Sequence, residues 1–158
     1  MATSISTRPN PRPRGAARRE ALLEAVLRIV AEVGPDAVTH RRVAEVAELP
    51  LASTTYWFES KEHLLTAALE LAAERDTARL LEHAADAMRD DVDPVEATID
   101  AITETADGGS QASRGSLIAT FALLLEAARR PALREISRRW TEVYLLTLSR
   151  LLEAAGSR

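Results

Sequence analysis

Apolar residues recur along the chain at intervals of three and four positions, the spacing that places them on one side of an α-helix. The first such stretch predicts a helix over about 16–33, which Gly34 and Pro35 bring to an end. Runs rich in Val, Ile and Thr, which are typical of β-strands, are missing. The pattern therefore predicts an all-α fold.

Three helix starts follow this first helix at short intervals. Thr39 is a favourable N-cap for a short second helix, and Pro50 begins a short third helix that reaches about Trp57. Ser60 caps a fourth, longer helix that reaches roughly Met88. Two short helices joined by a tight turn and supported by a longer one are typical of a helix-turn-helix.

The rest of the chain keeps the helical spacing. The sequence DPVE at 93–96 is a capping box with proline in the first helical position, and it predicts the start of a further helix. Two more helices are predicted at about 113–130 and 133–155, separated by Pro131. No internal repeat interrupts this arrangement.

Charge is distributed unevenly although the net charge is only -4. Five arginines precede the first acidic residue, Glu20, whereas residues 66–158 carry eleven basic and sixteen acidic side chains. This asymmetry favours an anionic partner for the amino-terminal part alone. The absence of cysteine excludes disulfides and thiolate metal sites. No apolar run resembles a signal peptide or is long enough to cross a bilayer, so we expect a cytoplasmic protein.

The stretch LPLASTTYWFESKEHLL, residues 49–65, combines short hydroxyl side chains, two large aromatics (Tyr56 and Trp57) and a lysine. A surface that reads the DNA major groove needs short donors and acceptors, apolar groups for thymine methyls, and groups that contact the sugar-phosphate backbone. Phe58 fits the core better than this surface, and a core position for Tyr56 and Trp57 is the alternative. The candidates for the surface are Leu51, Ala52, Ser53, Thr54, Thr55, Tyr56, Trp57 and Lys61.

The longer segment VTHRRVAEVAELPLASTTYWFESKEHLL, residues 38–65, resembles the DNA-binding motif of the tetracycline-repressor (TetR) family. The resemblance implies an N-terminal three-helix helix-turn-helix domain followed by a helical bundle that binds a small-molecule inducer and dimerises. We accordingly expect a basic flexible arm at 1–15, a DNA-binding domain at 16–62 and a regulatory and dimerisation domain at 63–158. Glu48 stands where the family usually has a turn glycine, so we expect strain at that position.

The resemblance also implies functional residues. A ligand-responsive repressor would bind palindromic operator DNA through its third helix, with Lys61 holding a phosphate. Further DNA contacts are expected from the arm and from the start of the second helix, at Arg14, Arg18, Thr39, His40 and Arg41. Residues expected to line an inducer cavity, with a plain core role as the alternative for each, are Met88, Glu104, Phe121, Arg139, Trp140 and Tyr144.

Other classes of function find little support in the sequence. The chain lacks a nucleophile elbow and a glycine-rich phosphate loop, and its histidines are not paired at metal-ligand spacing, so we expect no enzyme activity, cofactor or metal. Two alternatives remain open: a helical DNA-binding protein without a small-molecule site, and a helical scaffold that binds a protein partner.

Dimerisation follows from the expected symmetry of the operator. The third helix of each subunit, which is the recognition helix, reads one of the two half-sites. Members of the resembled family usually run longer and dimerise through their last two helices. The last predicted helix of this chain carries an apolar stripe broad enough to cover both a core and a partner. We therefore expect a homodimer through the helices at about 113–130 and 133–155, with a monomeric, shortened family member as the alternative.

Overall fold

The computed structural model describes residues 12–89, 96, 99 and 111–156, and its regular elements are all helical. The predicted all-α fold is confirmed. Among these residues, no helix is both long enough and apolar enough to span a bilayer. In chain order the helices are α1 (Arg12–Val33), a 3₁₀ helix (Pro35–Ala37), α2 (His40–Val46), α3 (Leu51–Trp57), α4 (Lys61–Arg89), α5 (Gln111–Glu126) and α6 (Pro131–Gly156).

Helix α1 begins at Arg12, ahead of the predicted start near residue 16. Pro13 does not prevent this, because the first-turn N–H groups of a helix have no partner within the helix and proline lacks only that group. The predicted end of the helix is confirmed at Gly34. This glycine has a φ of 94°, and its N–H donates to the Val30 carbonyl over 3.0 Å.

The caps expected from the sequence form as predicted. The Thr39 hydroxyl accepts a hydrogen bond of 3.1 Å from the Arg42 N–H, and the Ser60 hydroxyl accepts one of 3.1 Å from the His63 N–H. At the other end of α2, Arg28 of α1 donates to the Val46 carbonyl over 2.7 Å. The last of these bonds joins α2 to α1, and the two caps define where α2 and α4 begin.

One continuous apolar cluster joins the helices. α1 contributes its inward face, α4 its first three turns, and α5 the turn around Leu123, which is fully buried. Phe58, at the end of α3, is buried in the same cluster, as predicted. The cluster includes residues from both sides of the predicted domain boundary at 62 and 63, so α1–α3 (called the head below) share a core with the helices that follow.

The turn between α2 and α3 is built around a left-handed residue. Glu48 has a φ of 55°, so the strained conformation expected from the missing glycine is confirmed. The Leu49 N–H donates to the Ala44 carbonyl over 3.0 Å, and the Glu48 N–H donates to the Glu45 carbonyl over 3.2 Å. This pair of bonds is the Schellman motif, a helix ending in which glycine is the usual left-handed residue.

Glu48→Gly is expected to stabilise the protein. A left-handed conformation costs a residue with a Cβ roughly 1–2 kcal/mol, and the greater unfolded-state freedom of glycine offsets about half of that. We expect the free energy of unfolding to rise by about 0.5–1 kcal/mol. In a chain of this size the melting temperature rises by about 2–4 °C for each kcal/mol. Thermal melts followed by circular dichroism measure the shift. Glu48→Ala is the control, because it removes the same charge but keeps the strain; an equal rise in that variant would attribute the effect to charge.

Candidate nucleic-acid interface

Helix α3 exposes one face and buries the other. Leu51, Ala52, Thr55 and Tyr56 are exposed, with Tyr56 at 79% of its full accessible surface, and Ser53 is half-buried beside them. Together with Ser53, the exposed set carries two hydroxyls, two apolar groups and a phenol on two turns of helix. These are the kinds of group that meet base edges, thymine methyls and the sugar-phosphate backbone in a major groove.

Thr54 does not belong to this face, and the prediction that it contacts DNA is wrong. Its side chain is 0% exposed, and its hydroxyl donates to the Leu51 carbonyl over 2.8 Å. The reason is helical periodicity, since Thr54 lies one turn before the buried Phe58 and shares its side of the helix. Thr55 makes a similar bond to the Ala52 carbonyl over 3.3 Å, but from the exposed side.

The three consecutive aromatics have three different environments. Phe58 is 1% exposed, Trp57 is half-buried, and Tyr56 stands in the open with its ring edge-on to Trp57 at 5.0 Å. A Cβ placed on Gly15 would stand 3.6 Å from the Trp57 ring, so the first turns of α1 lie against this indole. Trp57 thereby holds the arginine-rich start of α1 beside α3.

Basic residues are exposed on α1 and α2, the two α-helices that precede α3. Arg18, Arg41 and Arg42 are exposed, and Thr39 is exposed at the start of α2. Arg41 pairs with Glu45 over 2.9 Å, an exposed contact worth only a few tenths of a kcal/mol. His40 is half-buried, and its Nδ1 atom has no hydrogen-bond partner within the described part of the chain. The Arg14 side chain lies outside the described residues.

Lys61 is tied to the turn after α1. Its ammonium donates to the backbone carbonyl of Asp36 over 2.8 Å and lies 3.8 Å from the carboxylate of the same residue. This partner could not be predicted from the sequence, because the two residues are 25 positions apart. The side chain of Lys61 is 30% exposed, so it reaches the surface at the start of α4.

Arg130 connects the turn between α5 and α6 with the turn that follows α1. It lies in the turn between α5 and α6, and its guanidinium contacts Glu126 at 2.7 Å, Asp36 at 2.9 Å and Glu62 at 3.2 Å. The hydrogen bond with Glu126 raises the pKa of Arg130 above its ordinary value, partly offset by burial. Arg130 was not singled out from the sequence, where an arginine before a proline between two helices has no distinguishing mark.

Two of the residues expected to line a cavity lie on a groove between α4 and α6. Arg139 and Trp140 line this groove of about 440 Å³, together with Glu70, Glu74 and Leu81. The Nε1 atom of Trp140 is buried and has no hydrogen-bond partner among the described residues. The groove thus combines an aromatic ring with carboxylates.

Tyr144 supports this groove from behind. Its ring stacks on Trp140 at 5.0 Å with 27° between the planes, and it packs in a small cluster with Leu80 and Leu148. Burial raises the pKa of the Tyr144 phenol, and the charge of Asp76 adds to the rise. Burial also raises the pKa of Asp76 itself, against the opposing effects of Arg79 and a Thr120 hydrogen bond.

A second cavity of about 980 Å³ lies between α1, α4 and α5, with a mixed charged lining that includes Glu32, Arg75 and Arg114. Phe121 lines neither of these two cavities and is exposed on α5. Glu104 and the side chain of Met88 lie outside the described residues. Among the described side chains, no three histidines or acids come together as they would around a metal ion.

Comparison with known proteins finds likeness in both halves of the chain. The family described as "Tetracyclin repressor-like, C-terminal domain" matches residues 93–158. SCO1917 of Streptomyces coelicolor A3, a member of the TetR family, has a solved structure with 32% identity and a TM-score of 0.66, over 87% of this chain and 75% of that one. No curated protein is significantly similar to the sequence.

Two further solved structures are similar. SCO7518 of Streptomyces coelicolor A3(2), a predicted transcriptional regulator, has 35% identity and a TM-score of 0.70, over 84% of this chain and 74% of that one. The multidrug binding protein EbrR complexed with ethidium has 31% identity and a TM-score of 0.67, over 85% of this chain and 75% of that one. EbrR has also been crystallised with malachite green and with proflavin.

Proposed function

Because this chain belongs to the TetR family of transcriptional regulators, we propose that it is a ligand-responsive repressor that reads a palindromic operator through α3. It acts on DNA in the cytoplasm as a homodimer, and a small molecule bound among its later helices releases it. Residues 16–62 bind DNA, and residues 63–158 regulate and dimerise. The proposal assigns no catalytic step to the protein.

The observation that carries the proposal is the two-sided character of α3. Thr54 and Phe58 anchor one side in the core, which leaves the hydroxyls of Ser53 and Thr55 off the buried side, where their oxygens can meet base edges. Leu51 and Ala52 are placed for thymine methyls. A helix fixed in this way presents its side chains with little freedom left to lose on binding.

Phosphate contacts would come from the rim of this face. Tyr56 and Trp57 suit the sugar-phosphate backbone, while Arg18 on α1 and Arg41 on α2 are exposed. Thr39 and His40 mark the start of α2, where free backbone N–H groups attract anions. Lys61 supplies a further positive charge near the first turn of α4.

The groove between α4 and α6 is the proposed ligand site. EbrR binds ethidium and proflavin, which are flat aromatic dyes that carry positive charge. Trp140 offers a ring for stacking, and Glu70 and Glu74 offer negative charge on the same groove. These features favour a planar aromatic cation, with Arg139 at the rim setting which polar substituents are accepted.

Release of DNA would follow from the position of α4. This helix lines the ligand groove and also begins beside the recognition helix, at Lys61. A ligand that binds better when α4 is displaced shifts the population toward a spacing of recognition helices that no longer fits the two half-sites.

Exposed apolar side chains on α5 and α6 support the homodimer. Monomeric proteins rarely leave large contiguous apolar patches in water, and a two-fold interface would bury such side chains in pairs. The exposed set is Ile118, Phe121 and Leu125 on α5 with Val143, Leu145 and Leu146 on α6.

Thr55→Ala is expected to weaken binding to the duplex upstream of the protein's own gene by about 1–3 kcal/mol, because one base contact is lost. Affinity for random-sequence duplex should stay unchanged, since base contacts do not contribute to it. Fluorescence anisotropy at fixed salt measures both. Thr147→Ala is the control, because the Thr147 hydroxyl likewise bonds a helix carbonyl but lies on α6. If the Thr55 variant prefers the specific duplex over the random one as strongly as the parent does, α3 is not the helix that reads the sequence.

Ethidium, added without DNA, is expected to raise the melting temperature. At a hundredfold excess over Kd, binding to the folded state alone stabilises by about 2.7 kcal/mol. Trp140→Leu and Glu74→Gln should each reduce the shift, whereas Glu32→Gln, on the other cavity, should leave it intact. A shift sensitive only to Glu32 would move the ligand site to the larger cavity, and no shift would contradict the cationic ligand.

Light scattering at micromolar concentration is expected to give twice the 17.2 kDa mass of one chain. Leu125→Glu should yield the monomer, because Leu125 is 76% exposed and a buried charge would oppose association. Val33→Glu, at an exposed apolar position on α1, is the control and should keep the dimer mass. If the parental protein has the mass of one chain, the homodimer is ruled out.

A further inference from the structure

Two cations from distant parts of the chain converge on Asp36. The same carboxylate oxygen lies 2.9 Å from Arg130 Nη2 and 3.8 Å from Lys61 Nζ. Lys61 also donates to the backbone carbonyl of Asp36, over 2.8 Å. The carboxylate is thus closest to Arg130, and Lys61 forms only the longer of the two ion pairs with it.

Arg130 is the better-anchored of the two cations. Its side chain is 21% exposed and also contacts Glu126 of α5 and Glu62 of α4. Asp36, in contrast, is 91% exposed and free to turn its carboxylate toward either cation. Removing Arg130 would therefore leave the carboxylate to pair fully with Lys61, and Glu62, next to Lys61 in the chain, would lose its own partner.

We infer that Arg130 is a positioning residue for DNA binding, which holds the Asp36 carboxylate and limits it to the longer contact with Lys61, so that the ammonium can reach a phosphate. The inference rests on the proposed DNA binding, and it adds a residue far from the recognition helix. An ammonium paired with a carboxylate must give up that pair before it neutralises a phosphate. Arg130 lies in the turn between α5 and α6, so a displacement of that turn would change the charge available at the DNA surface.

The test measures anisotropy of a labelled random-sequence duplex, because a phosphate contact is independent of sequence. Arg130→Gln is expected to weaken binding about twofold to fivefold at low salt, the range of an exposed ion pair, with the difference shrinking as salt rises. The slope of log affinity against log salt should become shallower by up to about one unit. Asp36→Asn in the same chain should restore the parental affinity, since no carboxylate is left to capture Lys61.

Two further variants separate this route from a general loss of charge or structure. Arg138 forms exposed ion pairs with Glu135 and Glu142 on α6. Arg138→Gln removes the same charge as Arg130→Gln, and this variant should bind DNA like the parent. In a Lys61→Gln background, Arg130→Gln should have no additional effect. Arg130→Lys, which keeps the charge, should lie between the parent and Arg130→Gln, and it provides a folded variant if the glutamine substitution lowers the melting temperature.

Three results would overturn the inference. If the double variant Asp36→Asn, Arg130→Gln binds DNA as weakly as the single variant Arg130→Gln, the role of Arg130 is merely structural. An undiminished effect of Arg130→Gln in the Lys61→Gln background would show that it acts through another group. Absence of duplex binding by the parent and by Arg138→Gln alike would remove the proposed function itself, and this inference with it.

Discussion

Burial of Phe58 is the constraint on which the arrangement of the head depends. Helix α3 has only seven residues, too few to be stable alone in water. Phe58 lies at its end, 1% exposed, with its N–H donating to the Thr54 carbonyl over 2.9 Å. The guanidinium of Arg19 lies 5.7 Å from the centre of its ring, and the imidazole of His63 meets it edge-on. One aromatic side chain therefore fixes α3 to both α1 and α4, and every exposed residue of α3 takes its direction from that anchor.

Local features of the fold could be predicted from the sequence, because their causes lie within a few residues. The caps at Thr39 and Ser60, the glycine end at Gly34 and the left-handed Glu48 each depend on one turn of chain. The early start of α1 was missed because proline is tolerated in a first turn, and a proline-rich sequence hides that allowance.

Features that depend on packing were harder to predict. Thr54 and Thr55 are the same residue type in adjacent positions, and only the direction of Phe58 decides which of them is buried. The ion pair between Asp36 and Arg130 joins residues 94 positions apart, and neither belongs to the motif that carries the family resemblance. Trp140 and Tyr144 stack on each other because they lie one turn apart on α6, whereas Phe121 is exposed on a side of α5 that no described helix covers.

The single apolar cluster that runs from α1 through α4 to α5 has a consequence for how such proteins recombine. A cut at residues 62 and 63 passes through the cluster and would strip Leu64, Leu65 and Leu69 from the α1 face that buries them. A chimera that joins this head to the regulatory half of a relative must therefore inherit α1 and the first turns of α4 from the same parent. The unit that can be exchanged between relatives is set by shared burial and differs from the unit that binds DNA.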